Sequence, residues 1–268
     1  MTSFAPLVPV ATEAVEGATS FVRTNLPRAL AEKGDRDMVS EVDLSVERTV
    51  RAYLNENTPA IGFLGEEEGR AGAVDDVDDL VWVLDPIDGT ANFVRGLPLC
   101  AVSLALVSRG KPVLGVIALP FLQEQYVGLA GEGAHDAFGR RLRVSGTSGL
   151  VNAIVALGDY AVGPNAAARN HPRLAITEQL AHRVQRVRML GSAAVDLVWT
   201  AAGKLDATVM LSNKPWDTAA GVLIAREAGA HVVDRDGSPH TVDSTATLAA
   251  APTLLDDLLA LVREAERA

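Results

Sequence analysis

Sulfur and long apolar runs are scarce in this sequence. Cys100 is the one cysteine among 268 residues, so no disulfide can form within the chain. It follows the apolar stretch Leu97-Pro98-Leu99, which favours a buried core thiol over a nucleophile. No uncharged apolar run reaches the ~18 residues that span a bilayer, and residues 1–26 lack the basic region and apolar core of a signal peptide. We therefore expect a cytoplasmic protein with no membrane partner.

Histidines at metal-binding spacing are also absent, and basic residues are fewer than acidic ones. None of the five histidines has a second one at i+3 or i+4, so a histidine-based zinc site has no support. The chain carries 24 basic and 34 acidic residues, a formal net charge of −10. An acidic chain repels polyanions, so nucleic acid is not expected as a partner. Hydrophobic residues make up 48% of the chain, which predicts a globular protein with a sizeable core.

The apolar pattern changes along the chain, and the change indicates two halves. Apolar residues at helical spacing predict helices over 4–26 and 41–56. Strand-like runs separated by Gly and Pro turns predict an antiparallel sheet over 101–145. Its predicted strands are 101–108, 112–119, 123–130 and about 137–144. Beyond residue 146, strands alternate with helices, which predicts an α/β half with a mixed or parallel sheet.

In the second half, the pattern predicts strands at 153–158, 186–190, 207–211 and near 231–234. It predicts helices near 172–184 and at 192–203, 217–228 and 253–265. We therefore expect a layered αβαβα sandwich of the α+β or α/β class. The change of pattern divides it into an N-terminal α+β subdomain, residues 1–146, and a C-terminal α/β subdomain, residues 147–268.

Carboxylates follow three of the apolar segments. The three stretches are Gly65-Glu66-Glu67-Glu68-Gly69, Asp85-Pro86-Ile87-Asp88-Gly89-Thr90 and Trp216-Asp217. Carboxylates that share a cleft raise each other's pKa and destabilise the fold unless a cation joins them. Hard oxygen ligands of this kind suit Mg²⁺, which also binds phosphate oxygens. The pattern therefore predicts a magnesium site.

The middle stretch is the most specific of the three. Asp85 follows a buried strand. Pro86 fixes a turn that lets the carboxylates of Asp85 and Asp88 face the same pair of metal ions. Gly89 permits close approach of a ligand to the backbone, and a helix that starts here would offer its free N–H groups to a phosphate. In isolation, Asp88-Gly89 is also typical of an ordinary turn, with Thr90 as a helix cap. The whole hexapeptide after an apolar strand favours the metal and phosphate interpretation.

The chain resembles the inositol monophosphatase family of Mg²⁺-dependent, lithium-sensitive phosphatases. The matching motifs follow the family's order, with similar spacing, at 37–43, 65–67, 82–93, 191–194 and 216–221. The resemblance implies hydrolysis of a small phosphate monoester, such as a cyclitol or sugar phosphate like inositol 1-phosphate, by in-line attack of a metal-activated water. It also implies a homodimer. Histidinol-phosphate, fructose-1,6-bisphosphate and adenosine 3′,5′-bisphosphate phosphatases are alternatives, and a non-catalytic metal- or partner-binding descendant is an alternative of another class.

The resemblance also implies a role for each matched residue. Two to three Mg²⁺ ions would bind, the first to Glu66, Asp85 and the Ile87 carbonyl, the second to Asp85, Asp88 and Asp217, and a weaker third to Glu66 with waters. The implied catalytic residues are Glu66 and Thr90, which activate the water, with Asp43 orienting Thr90 and Glu67 assisting. The implied phosphate- and substrate-binding residues are Asp88, Gly89, Thr90, Gly191, Ser192, Ala193 and Met210. Asp217 is also typical of a helix N-cap, which is compatible with binding a metal through its other oxygen.

Met210 is the main departure from the family pattern. Inositol monophosphatases have a glutamate that contacts substrate hydroxyls seven residues before the aspartate matched by Asp217, and this chain has Met210 there. A thioether does not accept hydrogen bonds from a polyol as a carboxylate does, which disfavours myo-inositol phosphate as the preferred substrate. The stretch 209–211 is also typical of plain strand core. Residues 159–172 correspond to a region that shapes substrate choice in the family.

Overall fold

The computed structural model describes residues 3–25, 30–34, 37–71 and 80–267, and for 30–34 and 37–39 it describes the backbone alone. The helices of these residues are α1 (Val8–Thr24), α2 (Glu41–Asn57), α3 (Thr90–Val94), α4 (Ala166–Arg183), α5 (Ala193–Ala201), α6 (Pro215–Glu227) and α7 (Leu255–Ala265). The first nine strands are β1 (Leu30–Gly34), β2 (Asp37–Ser40), β3 (Gly62–Gly65), β4 (Gly69–Ala71), β5 (Leu80–Asp88), β6 (Ala101–Ser108), β7 (Lys111–Leu119), β8 (Glu124–Leu129) and β9 (Gly133–Asp136). The remaining strands are β10 (Ile154–Leu157), β11 (Arg186–Arg188), β12 (Ala207–Met210), β13 (His231–Val233) and β14 (Thr247–Ala250).

The first half forms a seven-stranded sheet in the order β4-β3-β5-β6-β7-β8-β9. All its pairs are antiparallel except β3 with β5, which makes the sheet mixed rather than purely antiparallel. The predicted strand at 137–144 is wrong, because β9 ends at Asp136 and the chain then turns. The Asp136 carboxylate accepts the N–H groups of Phe138 (2.9 Å) and Arg140 (3.0 Å), so a local side-chain bond replaces the ladder there.

The second half forms a five-stranded sheet in the order β11-β10-β12-β14-β13. Strands β11, β10 and β12 run parallel, while β14 pairs antiparallel with both neighbours, so the expected mixed sheet is confirmed. Strand β14 is an element that the sequence pattern did not predict. Helix α4 starts at Ala166 rather than near Pro172, which lies inside it. Burial of Arg173, Ile176 and Leu180 stabilises a helix that proline alone would shorten.

Helices and sheets alternate in five layers, which confirms the predicted αβαβα sandwich. Helices α1 and α2 cover one face of the seven-stranded sheet, and their apolar stripes share a core with Trp82 and Leu84. Helices α5 and α6 fill the space between the two sheets, while α4 and α7 cover the outer face of the five-stranded sheet. The division into subdomains at residue 146 stays a prediction. Helix α6 of the predicted C-terminal subdomain packs on the sheet of the predicted N-terminal subdomain.

Helix α6 lies on that sheet through its backbone. A Cβ atom added to Gly115 of β7 would lie 2.9 Å from the Ala220 carbonyl oxygen and 3.0 Å from its Cα. A Cβ atom on Gly128 of β8 would lie 3.0 Å from the Ile224 Cγ1 and 3.1 Å from its Cα. At Gly115 only glycine permits this approach, and the contact fixes the position of the α6 N-terminus, which carries Asp217.

Two further expectations concern burial and membrane spans. Cys100 is buried, and its burial raises the pKa of the thiol to about 12, so it is an unreactive core residue. Within the described ranges, the structure contains no helix of the length and apolarity that crossing a membrane requires.

Candidate active site

A bulge in β5 brings Asp85 and Asp88 to the same face of the seven-stranded sheet. Asp85 pairs with Ser103 and Asp88 with Ala101, so two residues of β5 oppose the single residue Val102 of β6. In a regular strand, residues three apart point to opposite faces, and the extra residue removes that difference. The expected turn is therefore a bulge within a strand that continues to Asp88. Ile87 points its side chain into the opposite core.

Asp85 lies at the centre of a group of acidic side chains. Its side chain is 2% exposed, and its Oδ1 atom has no hydrogen-bond partner. Burial raises the pKa of this carboxyl well above its usual range, and the charges of Glu66, Asp88 and Asp217 raise it further. A hydrogen bond joins Asp85 to Glu66. The three predicted carboxylate stretches therefore meet here, although they are distant in the sequence.

Asp88 connects the first half of the chain to the start of α5. Its Oδ2 atom accepts the Ser192 hydroxyl (2.5 Å) and the Ala194 N–H (2.6 Å). Burial raises the pKa of Asp88 to about 6, against the lowering effect of the Ser192 hydrogen bond. Ser192 is also the N-cap of α5, because its hydroxyl accepts the Val195 N–H at 3.2 Å. The predicted residues Gly191, Ser192 and Ala193 thus lie beside Asp88.

The turn after Asp88 is held closely against the same segment. Gly89 has φ +87°, and a Cβ atom there would lie 2.9 Å from the Leu99 carbonyl oxygen and 3.1 Å from that of Gly191. Asn92 reinforces this contact by donating its amide to the Leu99 and Leu190 carbonyls, both at 2.7 Å. Gly89 and Thr90 begin α3, where the first N–H groups of a helix have no partner inside it.

Asp43 and Thr90 are brought together by the start of α2. Ser40 caps this helix in a capping box with Asp43, whose Oδ2 atom accepts the Ser40 N–H at 3.0 Å. The other carboxylate oxygen of Asp43 accepts the Thr90 hydroxyl at 3.3 Å, and the Ile87 carbonyl also lies 3.0 Å from that hydroxyl. Burial raises the pKa of Asp43. The single proton of the Thr90 hydroxyl is therefore shared between these two acceptors, which leaves the lone pairs of its oxygen to accept a further bond.

Glu47 was not predicted as a site residue, yet it supports the loop that carries Glu66. Its fully buried carboxylate accepts the N–H groups of Glu67 (2.8 Å) and Glu68 (2.9 Å). A Cβ atom on Gly65 would lie 2.2 Å from the Glu47 carboxyl carbon, so this loop passes directly over the carboxylate. Arg51 completes the arrangement with a bond of 2.8 Å to Glu47.

Asp217 approaches from the second half, in the first turn of α6. It is the third residue of that helix rather than its N-cap, and its Oδ2 atom accepts the Lys214 N–H at 2.7 Å. Burial raises the pKa of Asp217 to about 7, and the charge of Asp88 adds to the effect. One carboxylate oxygen therefore stabilises the helix start, and the other is available to a ligand.

The donor set fits a hard divalent cation. It consists of carboxylate oxygens and the Ile87 carbonyl, and the unpartnered Oδ1 of Asp85 is a buried oxygen that a cation would satisfy. Among the described residues, no three acidic, histidine or cysteine side chains are placed so that together they could hold a metal ion. A cation here would therefore need phosphate oxygens and water to complete its coordination, as Mg²⁺ commonly does.

A pocket of about 200 Å³ opens beside these carboxylates. Asp88 and Asp217 line it, as does Met210, which is only 3% exposed. Two aspartates that the sequence pattern did not single out, Asp159 and Asp196, also line it. Asp159 is the first residue of the stretch 159–172, which corresponds to the region that shapes substrate choice in the family, and Asp196 follows the 191–194 motif by two residues.

Comparisons with known proteins agree with this geometry. A model of the inositol monophosphatase family matches residues 4–267. The chain is 38% identical to the inositol-1-monophosphatase ImpA of Mycolicibacterium smegmatis, over 96% of this chain and 92% of that protein. It is 39% identical to the inositol-1-monophosphatase of Mesorhizobium japonicum, over 87% and 85% of the two chains. The solved structure of extragenic suppressor protein SuhB from Bartonella henselae superposes with a TM-score of 0.90 at 31% identity, covering 97% of this chain and 99% of that one.

The family match therefore spans almost the whole chain, including every motif that meets in the cleft. The relatives are similar in both sequence and fold over more than four fifths of their own length. This chain belongs to the inositol monophosphatase family and is a phosphatase of that family.

Proposed function

We propose that this phosphatase hydrolyses a small cyclitol or sugar phosphate monoester with Mg²⁺ as its cofactor. The observation that carries the proposal is the bulge in β5, which directs Asp85 and Asp88 to the face where Asp217 lies. Members of the family are generally metal-dependent. The buried, unpartnered oxygen of Asp85 supports a cation in this chain. All four carboxylates are present, which disfavours a non-catalytic descendant.

The metal-binding residues divide into overlapping sets. Glu66, Asp85 and the Ile87 carbonyl would hold one ion, and Asp85, Asp88 and Asp217 a second, with Glu66 contributing to a third. Bound Mg²⁺ stabilises negative charge on phosphoryl and leaving-group oxygens and lowers the pKa of water. Asp85 belongs to both main sets, which agrees with its position among three acidic neighbours.

Residues of the chain itself would orient the reactants. The Gly89 and Thr90 N–H groups, at the start of α3, would bind the phosphate. The Thr90 hydroxyl donates towards Asp43 and Ile87, so its oxygen can accept a hydrogen bond from the attacking water. Glu66 would receive the proton that this water loses, with Glu67 in support. These residues position the water for displacement in line with the leaving alcohol.

Phosphate release with Mg²⁺ across a panel of esters tests the proposal. The panel contains inositol 1-phosphate, histidinol phosphate, fructose 1,6-bisphosphate and adenosine 3′,5′-bisphosphate. We expect Asp88→Asn to lose at least ~100-fold in kcat while its circular dichroism spectrum is unchanged. Asp257→Asn, on the exposed face of α7, is the matched control and is expected to retain activity. Wild-type turnover by Asp88→Asn would overturn the metal assignment, and negligible turnover of every ester would overturn the proposed activity.

Two properties of the whole protein follow from the resemblance. We propose a homodimer that acts in the cytoplasm on a small phosphorylated substrate. Light scattering at several protein concentrations measures the oligomeric state, and a monomer at all of them would overturn this part of the proposal. Inhibition of phosphate release by lithium chloride, compared with sodium chloride at equal concentration, tests lithium sensitivity.

A further inference from the structure

Two acidic residues besides Asp88 and Asp217 line the pocket beside the proposed metal-binding carboxylates. Asp196 lies in the first turn of α5, is 1% exposed, and lines the pocket. Its Oδ1 atom has no hydrogen-bond partner among the residues that the structure describes. Asp159, which is exposed, lines the same pocket. A buried, unpartnered carboxyl destabilises a fold, and a ligand that hydrogen-bonds to it would remove this penalty.

The rest of this wall offers few strong acceptors. Met210 is buried, and its thioether accepts hydrogen bonds weakly. The Ser212 hydroxyl already accepts a bond of 2.8 Å from Arg173. Within the described part of the chain, no lysine, arginine or histidine lines the pocket. Apart from Asp88 and Asp217, the strongest hydrogen-bonding side chains among the residues that line the pocket are therefore the carboxyls of Asp196 and Asp159.

The surroundings of Asp196 indicate what it would bind. Burial raises the pKa of its carboxyl, and the charges of Asp88 and Asp159 raise it further. In either protonation state a carboxyl accepts a hydrogen bond from an alcohol. The leaving group of the proposed reaction is an alcohol, so the place of Asp196 in the pocket wall suits a hydroxyl group on it.

We propose that Asp196, with Asp159 at the rim, forms a subsite for hydroxyl groups on the leaving alcohol of the substrate. Asp196 takes the part that a carboxylate at position 210 would otherwise have, from the neighbouring helix instead of from β12. This assignment rests on the proposed phosphatase function and makes Asp196 a specificity-determining residue for polyol esters.

Two esters of the same carbon skeleton test the subsite. Glycerol 2-phosphate carries two hydroxyls that isopropyl phosphate lacks. We expect wild-type protein to prefer glycerol 2-phosphate by at least ~10-fold in kcat/KM, because an unfilled hydrogen-bonding site discriminates strongly. Asp196→Leu has the same shape without polar atoms, and the preference is expected to fall below ~2-fold. Thr200→Val, a buried isosteric change one turn further along α5, is the matched control and is expected to keep the full preference.

Stability measurements separate this role from a structural one. Asp196→Leu removes an unpartnered buried carboxyl, so its thermal midpoint is expected to equal or exceed that of the wild type. Asp196→Asn, whose amide also donates and accepts, is expected to retain a preference above ~3-fold, and it replaces the leucine variant if that variant does not fold.

The outcomes distinguish the subsite from the activity. Hydrolysis of both esters with a ratio that Asp196→Leu leaves unchanged overturns the subsite alone. Complete loss of the preference in Asp196→Asn overturns the pairing with hydroxyls. Failure of wild-type protein to hydrolyse either ester, in the presence of Mg²⁺, overturns the proposed function itself.

Discussion

The Glu47 carboxylate is expected to control both stability and metal affinity. It is fully buried and accepts the N–H groups of Glu67 and Glu68 and one bond from Arg51. Glu47→Gln keeps the shape but replaces one acceptor oxygen with an NH₂ group that faces a donor. Hydrogen bonds to charged groups are worth ~1.5–3 kcal/mol each. The amide oxygen can stay at the position that accepts bonds from Glu68 and Arg51. Loss of the one bond from Glu67, with Arg51 also paired to Glu68 at 3.3 Å, predicts a decrease of about 1.5–3 kcal/mol in the free energy of unfolding.

The same substitution should weaken Mg²⁺ binding, because the loop anchored by Glu47 carries Glu66. We expect the Mg²⁺ concentration for half-maximal phosphate release to rise at least ~10-fold, since orienting partners of metal ligands typically contribute this much. Excess Mg²⁺ should restore most of the activity. Urea unfolding and a Mg²⁺ titration of activity measure the two effects.

Arg51→Gln is the matched control, because it removes the ion pairs with Glu47 and Glu68 and leaves the loop N–H bonds to Glu47 intact. Arg51 is 24% exposed, so a loss of only about 1 kcal/mol is expected. Equal losses of stability in the two variants would show that the ion pair, not the loop, explains the effect. An unchanged Mg²⁺ requirement in Glu47→Gln would refute the proposed coupling to Glu66.

Two further predictions concern buried titratable groups. Asp85→Asn removes a buried carboxyl that has acidic neighbours, so in chelator it is expected to raise the free energy of unfolding by about 1–3 kcal/mol. Excess Mg²⁺ should stabilise the wild type more than this variant, and a variant that is less stable in chelator would contradict the reasoning. Burial lowers the pKa of His240 to about 4, below the ordinary 6.5, so the unfolded chain takes up the proton first and stability falls as pH drops from 6.5 towards 4. His240→Gln keeps an N–H for Thr247, which lies 2.8 Å from His240 Nε2. It should reduce that decline by about 2 kcal/mol in urea unfolding, whereas parallel declines would exclude His240 as its source.

The sequence pattern predicted the layers and the carboxylate stretches, but not how β5 presents them. Pro86 indicated the end of a strand, since proline interrupts a ladder. The ladder instead continues to Asp88 through a bulge, where proline is tolerated. A bulge depends on pairing with β6, and local pattern contains no information about that register. The two carboxylates were therefore correctly grouped on the basis of an incorrect local geometry.

The residues that were missed act through long-range contacts. Glu47 follows Asp43 by one helical turn and lies next to the apolar stripe of α2, where Val46 and Val50 are buried. A charged residue at the edge of an apolar stripe is usually solvated, so nothing in its spacing indicated a loop twenty residues away. Asp196 was missed for a similar reason, because only the packing of α5 against β12 brings it to the pocket.

The contact of α6 with Gly115 and Gly128 also limits how this enzyme could be modified by directed evolution. Side chains normally adjust when a neighbour changes size, but Gly115 faces the backbone of Ala220, and Gly128 faces both the side chain and the backbone of Ile224. A methyl group at Gly115 above all would act as a spacer and move Asp217 away from Asp85. Substitutions that alter substrate range should therefore occur in the pocket wall, around 159 and 210–212. Selection for turnover should retain both glycines.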